Sequence, residues 1–564
     1  MVSFGNPFGF FALLAIPAIF AIHFLQRESR RVVTSALFLL EQLAPESAQG
    51  RRFERLRNSV PLWLQIVATL LLTWLLVQPR WLRRDSTQHV VIVLDSSVSM
   101  SAFRDDVRRV LDTDTAGLSR AAAKSEWQLI ESDVTRSTLY SGANRAVLLD
   151  ALDKWKPHLG THDFLPALEL AQTLLHGNGT LIFVTDRGCE LPEGVRLLAV
   201  GHPLENCGFA GATVNGREWQ ALVKNYGRTP QRRTWWIEAN GQKSPAQELS
   251  LAPGQSSALR GEFPAGANAC ELVLNADEFT LDDHLPLLVP QPKPLTITAE
   301  NDAAFADFVA QFTSSIEAAD STALGKNDLN VAVYDPLSPR LPDATAIVFV
   351  ADPAASKNFL PGNVVAEADP LSADLNWSGL LCRDTLRVPA KPGDQTLVWQ
   401  GDRPLIFLRQ TGANSLLVVN FDLRASNATR LPAFVLLLHR FVERVRAEKV
   451  AIESRNVETN QAIAIASDPS LPAPEIAGNP GSNLRAPSAP QFFEVKQGAN
   501  TLLKAAAQFS DAREADFRDA ATIDHVRDAA AQAIERNSQS DFLTPVWALA
   551  LGAVMIGSWT WRQS

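Results

Sequence analysis

The residues best placed to do chemistry are Asp95, Ser97 and Ser99, in the run Asp95-Ser96-Ser97-Val98-Ser99. An Asp-x-Ser-x-Ser spacing presents one carboxylate and two hydroxyls from alternate positions. All are hard oxygen donors with a single negative charge among them, a set that suits an octahedral divalent cation keeping part of its water. The run follows Val90-Val91-Ile92-Val93-Leu94, an apolar, mostly β-branched stretch that reads as a buried strand. In an open α/β sheet the carboxyl end of a strand is where ligands collect. Alone, such a run is more often a turn or a helix cap. Two further stretches follow the same logic. Gly160-Thr161-His162-Asp163 opens an apolar helical pattern (Phe164, Leu165, Leu168, Leu170), and Leu181-Ile182-Phe183-Val184 is a second buried strand, ending in Thr185-Asp186-Arg187-Gly188.

The elements that must position these loops alternate in type. Between Gln88 and Gly201, helix patterns at Asp105 to Ala123 and Ala143 to Trp155 interleave with strands at Trp127 to Glu131 and Leu197 to Val200, as in a doubly wound parallel sheet. From Leu204 to Val289 the period changes to two. Trp219 to Val223, Thr234 to Glu238, Leu249 to Leu251 and Cys270 to Leu274 read as short strands, parted by turn signals such as Asn240-Gly241 and Pro253-Gly254. A small β-sandwich is expected. Pro290-Gln291-Pro292-Lys293-Pro294 marks a linker. A second α/β stretch then begins, with strands at Leu295 to Thr298, Val331 to Tyr334, Ile347 to Val350 and Leu416 to Asn420, and helices at Ala303 to Phe312 and Phe434 to Val445. Arg446 to Asn500 is rich in Pro, Ala, Ser and Asn, which predicts a strand or two among loops. Phe509 to Phe517 is charged and reads as a solvated face ahead of the C-terminal apolar run.

A length of 564 residues suggests three or four domains. The balance of 52 basic to 61 acidic residues, without a basic stripe interleaved with aromatics, argues against a nucleic-acid partner. Cys189, Cys207, Cys270 and Cys382 show no zinc spacing; lone thiols are the plainer reading, and a Cys189–Cys207 disulfide is the alternative. Pro7 to Leu25, Pro61 to Gln78 and Phe542 to Trp561 are each apolar and near the length that crosses a bilayer. Between the first two lies a hairpin holding Arg27, Arg30, Arg31, Arg51, Arg52, Arg55 and Arg57, with an amphipathic pattern at Val32 to Leu43. These outweigh Arg80, Arg83 and Arg84, so the positive-inside bias places the hairpin in the cytoplasm and the large body outside it.

The three-part pattern of Asp95-x-Ser97-x-Ser99, the Thr161 loop and the Asp186 loop resembles the von Willebrand factor A domain and its metal-ion-dependent adhesion site. The resemblance implies that Ser97, Ser99 and often Thr161 bind the metal directly, while Asp95 and Asp186 act largely through water. Mg²⁺, or Mn²⁺ or Ca²⁺, is the implied cofactor, and an acidic side chain from a protein partner is the implied ligand. The stretch from Leu295 resembles the glutamine-amidotransferase-like fold without its elbow cysteine: Val350 runs into Ala351-Asp352-Pro353, and Cys382 stands in Gly379-Leu380-Leu381-Cys382-Arg383. It is read as non-catalytic, with His439 a core histidine.

The whole order resembles the aerotolerance-type, BatA-like membrane proteins of bacteria, whose association with MoxR-type AAA+ ATPases implies such a partner. The expected architecture is a multidomain membrane protein. Residues 1–84 hold two transmembrane helices and the basic hairpin, 85–203 the A domain, 204–291 the β-sandwich, and 292–446 the amidotransferase-like domain. Residues 447–541 form a Pro/Ala-rich and helical region, and 542–564 a third transmembrane helix. The function expected is a metal-dependent, non-enzymatic protein-binding scaffold of the inner membrane with its large domains extracytoplasmic. A metal-assisted hydrolase is the rival class; against it, there is no H-E-x-x-H, G-x-S-x-G or P-loop. A structural scaffold with an empty metal site is the third reading.

Overall fold

The computed structural model describes residues 2–25, 60–136, 138–175, 179–300, 305–320, 327–334, 339–352, 356–385, 387–478 and 483–561. The arginine hairpin and the Val32 to Leu43 pattern lie outside the described residues. Contacts divide the chain into two units: 1–157, 162–203 and 519–564 in one, 158–161 and 204–518 in the other.

The first unit holds a six-stranded sheet in the order Thr522–Asp524, Val195–Val200, Thr180–Thr185, Thr87–Leu94, Lys124–Glu131, Tyr140–Gly142. The four central strands run parallel, and the two edges are antiparallel. Strands covered on both faces must be apolar throughout, which is why Val90 to Leu94 and Leu181 to Val184 are fully buried. Helices Arg104–Ser119, Arg145–Lys154 and Leu165–Leu174 cover the sheet. The edge strand Thr522–Asp524 comes from far along the chain, with Ile523 opposite Ala199.

The same unit contains the apolar N- and C-terminal elements. Pro7–Leu14 is a 3₁₀ segment continuing into the α-helix Ala15–Leu25. Val60–Val77 packs on Thr544–Trp561 and on the 3₁₀ segment. Among the described residues one helix, Val60–Val77, is both long and apolar enough to cross a membrane. A short sheet of Val2–Phe4, Pro79–Leu82 and Ser538–Ser540 sits where these elements end. There the Trp74 and Trp547 indoles both donate to Asp541 Oδ2, at 3.3 and 2.9 Å.

In the second unit, residues 207–288 form two antiparallel sheets sharing one core that includes Phe209, Trp219, Trp235, Leu272 and Leu285. The Asn240-Gly241 signal is a tight hairpin turn, both residues having positive φ (50° and 74°). An eight-stranded sheet follows from Leu295. Five strands from Ala319–Asp320 to Asn414–Val419 run parallel, and three antiparallel strands complete it. Helices Ala306–Ser314 and Pro432–Glu448 close its larger core.

Several expectations are corrected here. The linker does not run free: Gln291 bridges Ser454, and Lys293 is buried with its ammonium on the Ala447 carbonyl. Residues 453–508 build a four-stranded sheet, not loops with a strand or two. All four cysteines are free thiols, so no Cys189–Cys207 disulfide forms. His439 is half-buried rather than in the core, its Nε2 3.2 Å from Ser315 Oγ.

Candidate metal-ion site

The strand Thr87–Leu94 ends at Asp95, and its parallel neighbour Thr180–Thr185 ends at Asp186, with Leu94 in register with Val184. Two acidic loops therefore emerge side by side at the carboxyl edge of the sheet. The Asp95 amide donates to the Val184 carbonyl at 2.9 Å, extending the ladder to the first residue of the site.

Asp95 is held from both sides. Its Oδ1 accepts the Ser97 amide at 3.0 Å, and its Oδ2 accepts the Thr185 hydroxyl at 2.7 Å. Burial pushes its carboxyl above the usual range; the bonds from Thr185 and Ser97 and the nearby His162 pull it back. The Ser97 and Ser99 hydroxyl oxygens lie 3.2 Å apart, and both residues are buried. Val98–Phe103 forms a 3₁₀ turn that sends Val98, Met100 and Phe103 into the core, with Ser97 at its N-cap and Ser99 buried in its first turn. Asp186 is also buried, and its two oxygens take the Arg187 guanidinium at 2.9 and 3.1 Å.

The chain behind Asp186 is tightly confined. The Ala521 amide donates to the Asp186 carbonyl at 2.9 Å. A Cβ at Gly201 would stand 1.9 Å from that same oxygen, so only glycine passes there.

Of the five expected ligands, Asp95, Ser97, Ser99 and Asp186 lie in the first unit. Thr161 falls in the second, its amide and hydroxyl both bonded to Asp511 (2.7 and 3.1 Å). Asp163 Oδ1 accepts the Leu165 amide at 2.9 Å at the start of helix Leu165–Leu174.

The sequence reading missed Thr185, Ser132 and Arg187. Ser132 directly follows the strand Lys124–Glu131, so the carboxyl-end rule applied to that strand would have found it. Its hydroxyl takes the Ser96 amide at 2.8 Å and lies 2.7 Å from His162 Nε2. That same ring nitrogen lies 3.9 Å from Asp95 Oδ1. A serine nucleophile relay uses two different imidazole nitrogens, one toward the serine and one toward the carboxylate. Ser132, His162 and Asp95 do not have that arrangement.

Tested against a hard divalent cation, the donor chemistry fits at Asp95, Ser97 and Ser99: a buried carboxylate and two adjacent hydroxyls, with no soft ligand. Asp186 is already paired with Arg187, which suits a supporting part better than direct coordination. Cys189, close to both aspartates, has its thiol pushed up to about 11 by burial and by Asp95 and Asp186, so it stays a neutral thiol.

Residues 1–79 match the family model described as aerotolerance regulator N-terminal. Over that region the chain is similar to BatA-like proteins, and its described residues are of mixed α/β architecture. Residues 207–286 match a domain of unknown function, DUF7407. No curated protein matches the sequence. Two β-glucosidase structures show a faint likeness. One, from Erythrobacter marinus, is 9% identical over 42% of this chain and 51% of that one, with a TM-score of 0.12. The other, involved in saponin metabolism and from intestinal bacteria, is 12% identical over 36% of each chain, also with a TM-score of 0.12. The chain thus spans about half and about a third of those structures, and likeness at that level carries no argument about fold or activity.

Proposed function

We propose that this BatA-like chain is a membrane-anchored, metal-dependent protein-binding scaffold of the MoxR/von Willebrand A type. It is not an enzyme on this reading. Asp95, Ser97, Ser99 and Asp186, which share one unit, would hold Mg²⁺, or Mn²⁺ or Ca²⁺; Thr161 is a ligand on the resemblance alone. Bound there, the cation would supply an electrophilic position for an acidic side chain of a partner. The observation that carries the reading is the Asp95 carboxylate buried beside the paired Ser97 and Ser99 hydroxyls at the carboxyl edge of a parallel sheet. The chain's own part is to fix that carboxylate through Thr185 and the Ser97 amide, leaving the hydroxyl oxygens grouped.

The N-terminal family match supports the membrane setting. On the sequence's charge bias, three spans would anchor the chain in the inner membrane with the large domains outside the cytoplasm. A MoxR-type AAA+ ATPase is the expected cytoplasmic partner. Capture of partners from solubilised membranes, with and without chelator, tests the reading. Loss of the same captured protein in chelator and in Asp95→Ala supports it. Capture insensitive to both leaves a structural scaffold.

A further inference from the structure

We infer that Gly160–Thr161 is a carboxylate-binding notch whose resident occupant is this chain's own Asp511. An acidic side chain from another protein takes the notch only where Asp511 gives way. The inference deepens the proposed function and rests on it for the identity of the competing ligand.

The contacts lie within the second unit. Asp511 Oδ2 accepts the Thr161 amide at 2.7 Å, and Oδ1 accepts the Thr161 hydroxyl at 3.1 Å. Bonds to an ionised acceptor are among the stronger ones available to a neutral amide or hydroxyl. The Thr161 hydroxyl also lies 3.3 Å from Glu514 Oε1, so two acids attend one threonine. A Cβ at Gly160 would stand 2.8 Å from Asp511 Oδ2, so the missing side chain there permits the close approach.

Asp511 is presented rigidly. Its Oδ1 also accepts the Arg513 and Glu514 amides at 3.0 and 3.4 Å, which fixes its rotamer. The segment carrying it is anchored at both ends. Phe509 and Phe517 are buried with their rings 5.7 and 5.0 Å from that of Phe279, and Asn206 donates to the Ala515 carbonyl at 2.9 Å. A tethered, pre-positioned occupant competes at high effective concentration with any ligand in solution. Its removal exposes a site already shaped for a carboxylate.

The test uses the full chain in detergent, fluorescein-labelled hexaglutamate read by anisotropy in millimolar Mn²⁺, and Mn²⁺ uptake read by electron spin resonance. Asp511→Ala should bind the peptide about tenfold more tightly than the parent, the worth of about one charge-assisted hydrogen bond. Adding Thr161→Ala, which deletes the hydroxyl donor and keeps the amide, should reduce the gain. Asp511→Asn, isosteric and uncharged, should gain in the same direction and carries the test if the alanine variant fails to fold. Equal peptide binding by the parent and both Asp511 variants, with Mn²⁺ still taken up, overturns the notch and leaves the cation reading standing. A gain in the Asp511 variants with no Mn²⁺ uptake by any form supports the notch and overturns the cation reading.

Discussion

Ser97 and Ser99 bring their hydroxyl oxygens to 3.2 Å of each other in the interior. Only one proton can lie between them, so the pair offers more acceptor capacity than its own donors satisfy. Replacing Ser97 by Ala removes one member and one shared bond. Without added metal the cost should be small, about 1 kcal/mol in chemical unfolding. A loss of several kcal/mol would mean the hydroxyl serves the fold rather than a ligand.

Gly201 and Asp186 give a second prediction. Because a Cβ at Gly201 would overlap the Asp186 carbonyl, Gly201→Ala must push the acidic loop or the neighbouring strand aside. Overpacking of this kind costs about 1–3 kcal/mol. Thermal melting should show that loss, whereas Gly117→Ala, on helix Arg104–Ser119 where an added Cβ meets nothing within 4 Å, should cost nothing or stabilise slightly. Equal melting of Gly201→Ala and the parent would contradict the confined path.

Asp114 sets a pH dependence. Its side chain is buried on helix Arg104–Ser119, which packs against helix Val526–Asn537. Burial and the nearby Asp524 raise its pKa to about 6, against a weaker opposing pull from Arg527. Between the unfolded value near 4 and about 6 the folded state binds more protons than the unfolded state, so stability falls as pH rises through that window. Asp283, also raised to about 6 by burial and Asp277, adds to the same slope. Asp114→Asn should flatten part of it and stabilise the protein above pH 6, by at most about 3 kcal/mol. An unchanged slope in denaturant titrations at pH 4.5 and 7.5 would sink the assignment.

Asp541 ties Trp74 on one apolar helix to Trp547 on another. Asp541→Ala strands both indole N–H groups and should lower the melting temperature in detergent. Asp541→Asn, which keeps a carbonyl acceptor, should recover most of the loss. Equal melting of the alanine variant and the parent would show that the shared acceptor contributes nothing.

Much of this architecture was legible because parallel strands covered on both faces leave continuous apolar runs: Val90 to Leu94 lies within Thr87–Leu94, and Ile347 to Val350 within Ala346–Val350. Tyr140–Gly142 and Thr522–Asp524 were not legible. They are short edge strands whose pairing is fixed by partners elsewhere in the chain. The segment Phe509 to Phe517 misled for a physical reason. Its charges look solvated, but Phe509, Ala515 and Phe517 are buried and Asp511 and Glu514 meet Thr161. Local composition carries no sign of a contact about 350 residues away. At the candidate site the donor types were legible at Asp95, Ser97 and Ser99. Thr185, which holds the Asp95 carboxylate, was passed over because its role depends on strand register and not on its own neighbours.

The most direct test of the central claim is the melting temperature of the full chain in detergent as Mg²⁺ or Mn²⁺ is added. A ligand that binds only the folded form stabilises it by about 2.7 kcal/mol at about a hundred-fold excess over its dissociation constant. The parent should therefore melt progressively higher with either cation, and Asp95→Ala should not respond. No shift in the parent at millimolar Mg²⁺ or Mn²⁺, or an equal shift in Asp95→Ala, would contradict a cation site at Asp95, Ser97 and Ser99.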